Sequence, residues 1–142
     1  MSSIEPEMLD RMVERARVIR AKAYAPYSEF HVGAALLAGG EIFAAVNVEN
    51  ASYPMSGCAE RNAVAMAVAA GAASGARAVA VVTDADTPTP PCGGCRQVLF
   101  EFGGAELAVV AESADGSVRT MWTLGELLPD AFNPSDLDAR HR

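Results

Sequence analysis

The sequence is 142 residues long, 51% hydrophobic and 20% charged, with a net charge of −7 and a pI near 4.7. This length suits one domain, spanning 1–142, with a core that needs no disulfides. The acidic balance and the single lysine, Lys22, argue against nucleic acid as a partner, because cations must displace the counterions of a phosphate backbone; the substrate should be small and near neutral.

The first predicted element is an amphipathic helix over 6–24, with Met8, Leu9, Met12, Val13, Ala16, Ile19 and Ala23 at the helical period. Pro6 suits a first turn, where no amide donor is required. Arg11, Arg15, Arg17 and Arg20 lie among Glu7, Asp10 and Glu14 and read as a solvated helix face, not a phosphate patch. After the loop Ala25-Pro26-Tyr27-Ser28 come two strands, 30–38 and 41–48, joined by the hairpin signal Gly39-Gly40. Residues 49–57 form a turn-rich loop, and a second helix begins near Cys58. From Ala63 to Ala70 that helix is apolar on every side, which predicts burial within the domain or against another subunit. A buried strand over 76–83, a proline-rich loop over 84–91 and a third helix over 92–102 follow. Two further strands, 106–111 and 118–121, flank Asp115-Gly116 and should pair antiparallel. A short helix over 123–128 and an irregular tail complete an α/β chain.

No basic segment followed by an apolar run opens the chain, so no signal peptide is expected. The most apolar stretch, 63–82, is alanine-rich and interrupted by Gly71, Ser74, Gly75 and Arg77, which argues against a membrane span. An odd number of cysteines, two of them in a C-x-x-C run, points to a reducing compartment and to metal or redox use. The expected location is the cytoplasm.

All three cysteines fall in two short motifs, Cys58-Ala59-Glu60 and Pro91-Cys92-Gly93-Gly94-Cys95. Three thiolates hold a zinc ion with one position left for water or substrate, whereas a structural zinc is closed by four protein ligands. The only histidines, His31 and His141, lie far from both motifs in sequence. Each motif stands where a loop enters a helix, so free amides and the macrodipole favour thiolate. On a regular helix Glu60 is turned roughly 200° from Cys58, which makes joint chelation awkward and suits a general acid/base instead. Zinc with three thiolates carries an excess negative charge that opposes acidification of its water. Arg61 and Arg96 follow the motifs directly, and at least one is predicted to hydrogen-bond to a thiolate. Two other readings of the cysteines stand beside this one: a thioredoxin-like redox pair, which leaves Cys58-Ala59-Glu60 idle, and a structural zinc closed by His31.

With these motifs in place, the chain resembles the cytidine deaminases of the small, homotetrameric type. The likeness rests on five blocks: Tyr27-Ser28-Glu29-Phe30-His31-Val32-Gly33-Ala34-Ala35, Asn47-Val48-Glu49-Asn50-Ala51-Ser52-Tyr53, Cys58-Ala59-Glu60-Arg61, Pro91-Cys92-Gly93-Gly94-Cys95-Arg96-Gln97 and Leu127-Leu128-Pro129-Asp130-Ala131-Phe132. A zinc held by cysteines beside an unligated glutamate and a P-C-x-x-C run is the general mark of zinc deaminases. The resemblance implies a three-layer α/β/α sandwich around a mixed five-stranded sheet, last two strands antiparallel. It implies Zn2+ on Cys58, Cys92 and Cys95, and Glu60 as proton shuttle. It further implies Asn47 and Glu49 on the ribose 3′-hydroxyl, Phe30 beside the base and the Ala59 amide on the pyrimidine oxygen. Tyr53 and Phe132 are implied to reach a neighbouring subunit's pocket. The implied reaction is hydrolytic deamination of cytidine and deoxycytidine in pyrimidine salvage. Pro54 fixes φ in the loop after Tyr53, and it keeps a blasticidin-S deaminase-like reading, or another cytosine derivative, in play. A non-catalytic zinc or redox module is the reading from another class.

Overall fold

The computed structural model describes residues 3–138, so His141 lies outside the described residues. The elements run α1 (Pro6–Arg20), β1 (Val32–Ala38), β2 (Glu41–Val46), α2 (Ala59–Ala69), β3 (Ala76–Thr83), α3 (Gly93–Gly103), β4 (Ala108–Glu112), β5 (Arg119–Thr123), α4 (Leu124–Leu127) and α5 (Pro134–Asp138). The five strands form one sheet in the order β2-β1-β3-β4-β5; β3 and β4 are parallel and the other neighbours antiparallel. The sheet is therefore mixed, and its last two strands are antiparallel, as expected.

Both faces of the sheet are covered, which explains why β1 and β3 read as unbroken apolar runs. Ala35, Leu37, Ala78, Ala80 and Val82 face α1 through Met12, Val13 and Ala16. The alternate residues Leu36, Val79 and Val81 pack with Ala63, Val64 and Ala67 of α2 and Leu99 of α3. This is a three-layer α/β/α sandwich. Small residues on the α1 face let the helix lie very close to β1. A Cβ on Gly33 would stand 1.9 Å from the Ala16 carbonyl oxygen.

The β1–β2 turn needs both its glycines, since Gly39 and Gly40 have φ of +59° and +80°, the pattern of a tight hairpin. Several predicted ends are corrected. α1 stops at Arg20 instead of 24, because the chain tightens through Lys22 N–H to Ile19 O and Ala23 N–H to Arg20 O. Tyr24 then pairs with Val48, and Val48 with Gly57, so β2 gives way at Val46 to these isolated bridges. The tail is not wholly irregular: Asn133 accepts the Ser135 amide and donates its own to Asp136, starting α5 at Pro134. α2 is not buried all round within this chain, for Met66 and Val68 are exposed. Nor is the arginine side of α1 wholly solvated. Arg17 pairs with Glu112, and Arg20 donates to the Thr83 carbonyl, clamping α1 to the ends of β4 and β3. Among the described residues, no helix is long and apolar enough to cross a membrane.

Candidate active site

Cys58 and Cys92 are the N-cap residues of α2 and α3, and their carbonyls accept the first helical amides, from Asn62 and Arg96, both at 3.0 Å. The amides of Ala59 to Arg61 and of Gly93 to Cys95 therefore precede the hydrogen-bonded ladder of each helix and lack an intrahelical acceptor. Cys95, in the first turn of α3, is buried. The two helix starts bring the three sulfurs within 4.8 Å of one another, with Cys58 and Cys92 4.0 Å apart. Thiolates about 2.3 Å from a tetrahedral zinc lie about 3.8 Å from each other, so this cluster fits the ion with little adjustment. Among the described residues these cysteines are the only group placed to hold a metal, and His31 is not part of it. His31 instead joins Asp84, through its ring Nδ1 at 2.7 Å and its backbone amide at 2.8 Å.

Within the cluster Cys58 is the thiol tuned toward thiolate. Hydrogen bonding from Cys95, then Cys92, and the nearby charge of Arg61 bring the Cys58 thiol down to about 6 despite its burial. The same contact with Cys58, together with burial, pushes Cys95 up, so metal binding must displace a proton there. Glu60 is buried, and burial raises its carboxyl to about 7, with the charge of Cys58 adding to the rise and its own backbone amide opposing it. A carboxyl poised there can both accept and return a proton at neutral pH.

Cys58, Cys92 and Glu60 line a cleft of about 350 Å3 at the C-terminal end of β3. That is small-molecule size, for which the usual range is roughly 300–1,000 Å3. Phe30, Asn47, Glu49, Cys58, Ala59, Glu60 and Cys92 all border it. Tyr53 and Phe132 do not. Tyr53 borders an adjoining hollow and meets Tyr27 edge-to-face at 5.8 Å, while exposed Phe132 is fastened by Gln97 Nε2 to its carbonyl at 2.8 Å.

The arginine–thiolate hydrogen bond is not found. Arg61 donates to the Ser56 carbonyl at 3.0 Å and acts on Cys58 through its charge alone. Arg96 turns back on the chain, donating to Pro91 O at 2.7 Å and to Leu127 O at 2.8 Å. It thus ties the loop that carries Cys92 to the end of α4. Sequence reasoning also missed Thr83 and Thr89, whose hydroxyls meet at 3.0 Å on the wall of the cleft. Thr83 stands at the carboxyl end of β3, where ligands of open α/β sheets gather, and Thr89 lies in the loop that follows.

The model of the cytidine and deoxycytidylate deaminase zinc-binding region matches residues 6–111. A cytidine deaminase from Sporosarcina psychrophila is 42% identical over 130 residues, covering 91% of this chain and 94% of the relative. The crystal structure of cytidine deaminase from Burkholderia pseudomallei superposes with a TM-score of 0.82 at 46% identity, over 87% of this chain and 98% of that one. That from Mycobacterium tuberculosis gives 0.74 at 41%, over 92% and 98%. Motif, metal cluster and fold agree, and the chain belongs to the zinc-binding cytidine and deoxycytidylate deaminase family of enzymes.

Proposed function

We propose that this protein hydrolyses cytidine and deoxycytidine to uridine and deoxyuridine with release of ammonia, as a cytoplasmic enzyme of pyrimidine salvage. The observation that carries this reading is a buried carboxyl, Glu60, sharing one cleft with Cys58 and Cys92, whose sulfurs converge with that of buried Cys95. Cys58, Cys92 and Cys95 would hold zinc, which when bound would supply Lewis acidity toward the attacking water. Glu60 would accept one proton from the attacking water and deliver it to ring N3 as the water oxygen bonds to C4. It then carries the second proton to the exocyclic amine, which leaves as ammonia. A single carboxyl serves both transfers because burial holds it near working pH.

The remaining residues orient the nucleoside. The Ala59 amide, without an intrahelical acceptor, meets the pyrimidine oxygen. Phe30 flanks the base, and Asn47 and Glu49 receive the ribose 3′-hydroxyl. Arg61 offsets the thiolate charge, and Arg96 holds the Pro91–Cys92 corner. The acidic chain suits a free nucleoside and no nucleic acid.

The whole chain, 1–142, acts as one domain that assembles as a homotetramer, with Tyr53 and Phe132 entering a neighbour's pocket. Exposed Met66 and Val68 on α2, with Tyr53, Met55 and Phe132, supply apolar surface for such contacts. Light scattering should return four times the chain mass of 14.8 kDa.

The decisive experiment is an ammonia-release panel with cytidine, deoxycytidine, cytosine and blasticidin S, using Glu60→Ala as the blank. Turnover of the two nucleosides, lost by about a thousandfold or more in the variant, is the expected result. Turnover of blasticidin S alone would redirect the assignment, and an active Glu60→Ala enzyme would reject the mechanism.

A further inference from the structure

Glu49 does not stand free in the cleft. Its Oε1 accepts the backbone amides of Tyr27 at 3.0 Å and Ser28 at 3.1 Å, and its Oε2 accepts the Ser28 hydroxyl. The same hydroxyl oxygen accepts the Phe30 amide at 3.0 Å. The Phe30 carbonyl is taken by Asn47 Nδ2 at 2.9 Å, and Asn47 Oδ1 accepts the Val32 amide at 2.9 Å. Asn47 and Glu49 lie on one segment pinned by Tyr24, whose amide donates to Asn47 O at 3.0 Å and whose carbonyl accepts Glu49 N–H at 2.9 Å. The hydrogen bonds therefore close a ring through Glu49, Ser28, Phe30 and Asn47.

Ser28 is the one member that touches both the sugar-side carboxylate and the backbone of the base-side ring. An ionised carboxylate has about four acceptor directions. Three on Glu49 are filled, which leaves one, on Oε2, for a ligand hydroxyl. The Ser28 hydroxyl, more than either amide, also lowers the Glu49 carboxyl from its ordinary value. The turn that presents Ser28 holds Glu29 at φ +57°, a left-handed conformation seldom taken by glutamate. Such conformations persist where the surroundings over-determine them.

We propose that Ser28 is a positioning residue for the nucleoside: its hydroxyl presets the Glu49 carboxylate to accept one sugar hydroxyl. This rests on the reading of Glu49 as the acceptor of the ribose 3′-hydroxyl. The test compares wild type, Ser28→Ala and Ser28→Thr on cytidine and on 3′-deoxycytidine, which lacks that hydroxyl, with zinc content and Tm recorded for each. Wild type should prefer cytidine. Ser28→Ala should lose about tenfold in kcat/KM on cytidine, mostly through KM, the scale of one charge-assisted hydrogen bond. It should lose less than about twofold on 3′-deoxycytidine and keep its zinc, and Ser28→Thr should restore most of the loss. Ser28→Gly provides the same readout if alanine disturbs the turn. An equal loss on both substrates, or none, overturns the proposal while leaving Glu49 in place. A wild type that does not distinguish the substrates overturns the sugar reading and this proposal together.

Discussion

Replacing Arg96 by alanine tests whether the metal loop is held from outside its own motif. The guanidinium bridges Pro91 O at 2.7 Å and Leu127 O at 2.8 Å, so one side chain fixes the approach to Cys92 against the end of α4. A hydrogen bond from a charged donor is worth roughly 1.5–3 kcal/mol net. The site is only partly buried, so water can reach the freed carbonyls, and the low end applies to each bond: about 3 kcal/mol in all. For a chain of this size 1 kcal/mol lowers Tm by roughly 3 °C, which predicts a fall of about 9 °C in the metal-free protein. Loss of a partner that orients metal ligands also costs about 10- to 100-fold in zinc affinity. Calorimetry gives the first number, and competition with a chromophoric chelator the second. Arg96→Lys should recover about half of the stability, since a single ammonium cannot span both carbonyls. Wild-type zinc affinity in Arg96→Ala would refute the reasoning, because the loop would then be held by its ligands alone.

Two other perturbations probe the frame around the site. In Gly33→Ala the new methyl meets the Ala16 carbonyl oxygen at 1.9 Å, an obstacle of backbone that cannot rotate away. Urea unfolding should show a loss of about 3 kcal/mol, at the upper end for overpacking, and an unchanged midpoint would contradict the close α1–β1 approach. At the β4–β5 turn, the Ser117 hydroxyl, its amide and the Ser113 hydroxyl depress the Asp115 carboxyl to about 2. A folded pKa below the unfolded value contributes stability above the unfolded pKa and loses it as pH falls through the folded one. Wild type should therefore lose an increment between about pH 4 and pH 2 that Asp115→Ala lacks. Parallel stability curves for the two proteins across that window would show that the turn network contributes nothing.

Much of this architecture was legible because it is local. The strand β3 begins and ends where Gly75 and Asp84 bound an apolar run, and Thr123 with Glu126 announces the capping box that starts α4. The cysteine spacing needed only two helix starts to become a cluster. What escaped was set by distant partners. β2 stops at Val46 because Tyr24 and Gly57 claim the next residues, and no periodicity encodes that choice. Adjacency to the motifs predicts that at least one of Arg61 and Arg96 bonds to sulfur, but a long guanidinium reaches whichever carbonyl tertiary folding leaves unpaired, here those of Pro91, Leu127 and Ser56. The apolar turns of α2 gave no hint of which residues the chain itself would cover, and Met66 and Val68 remain outside. Asn133-Pro134-Ser135-Asp136 is the opposite case, a helix-start pattern carried by local residues alone.

Zinc-edge X-ray absorption on the zinc-loaded protein and on Glu60→Ala tests the metal centre most directly. Both spectra should fit three sulfurs at about 2.3 Å and a single light atom at about 2.0 Å, unchanged by loss of the carboxyl. A fourth sulfur, an imidazole, or a shell that alters in Glu60→Ala would mean that the ion is closed by the protein or ligated by Glu60, and the hydrolytic account would fail.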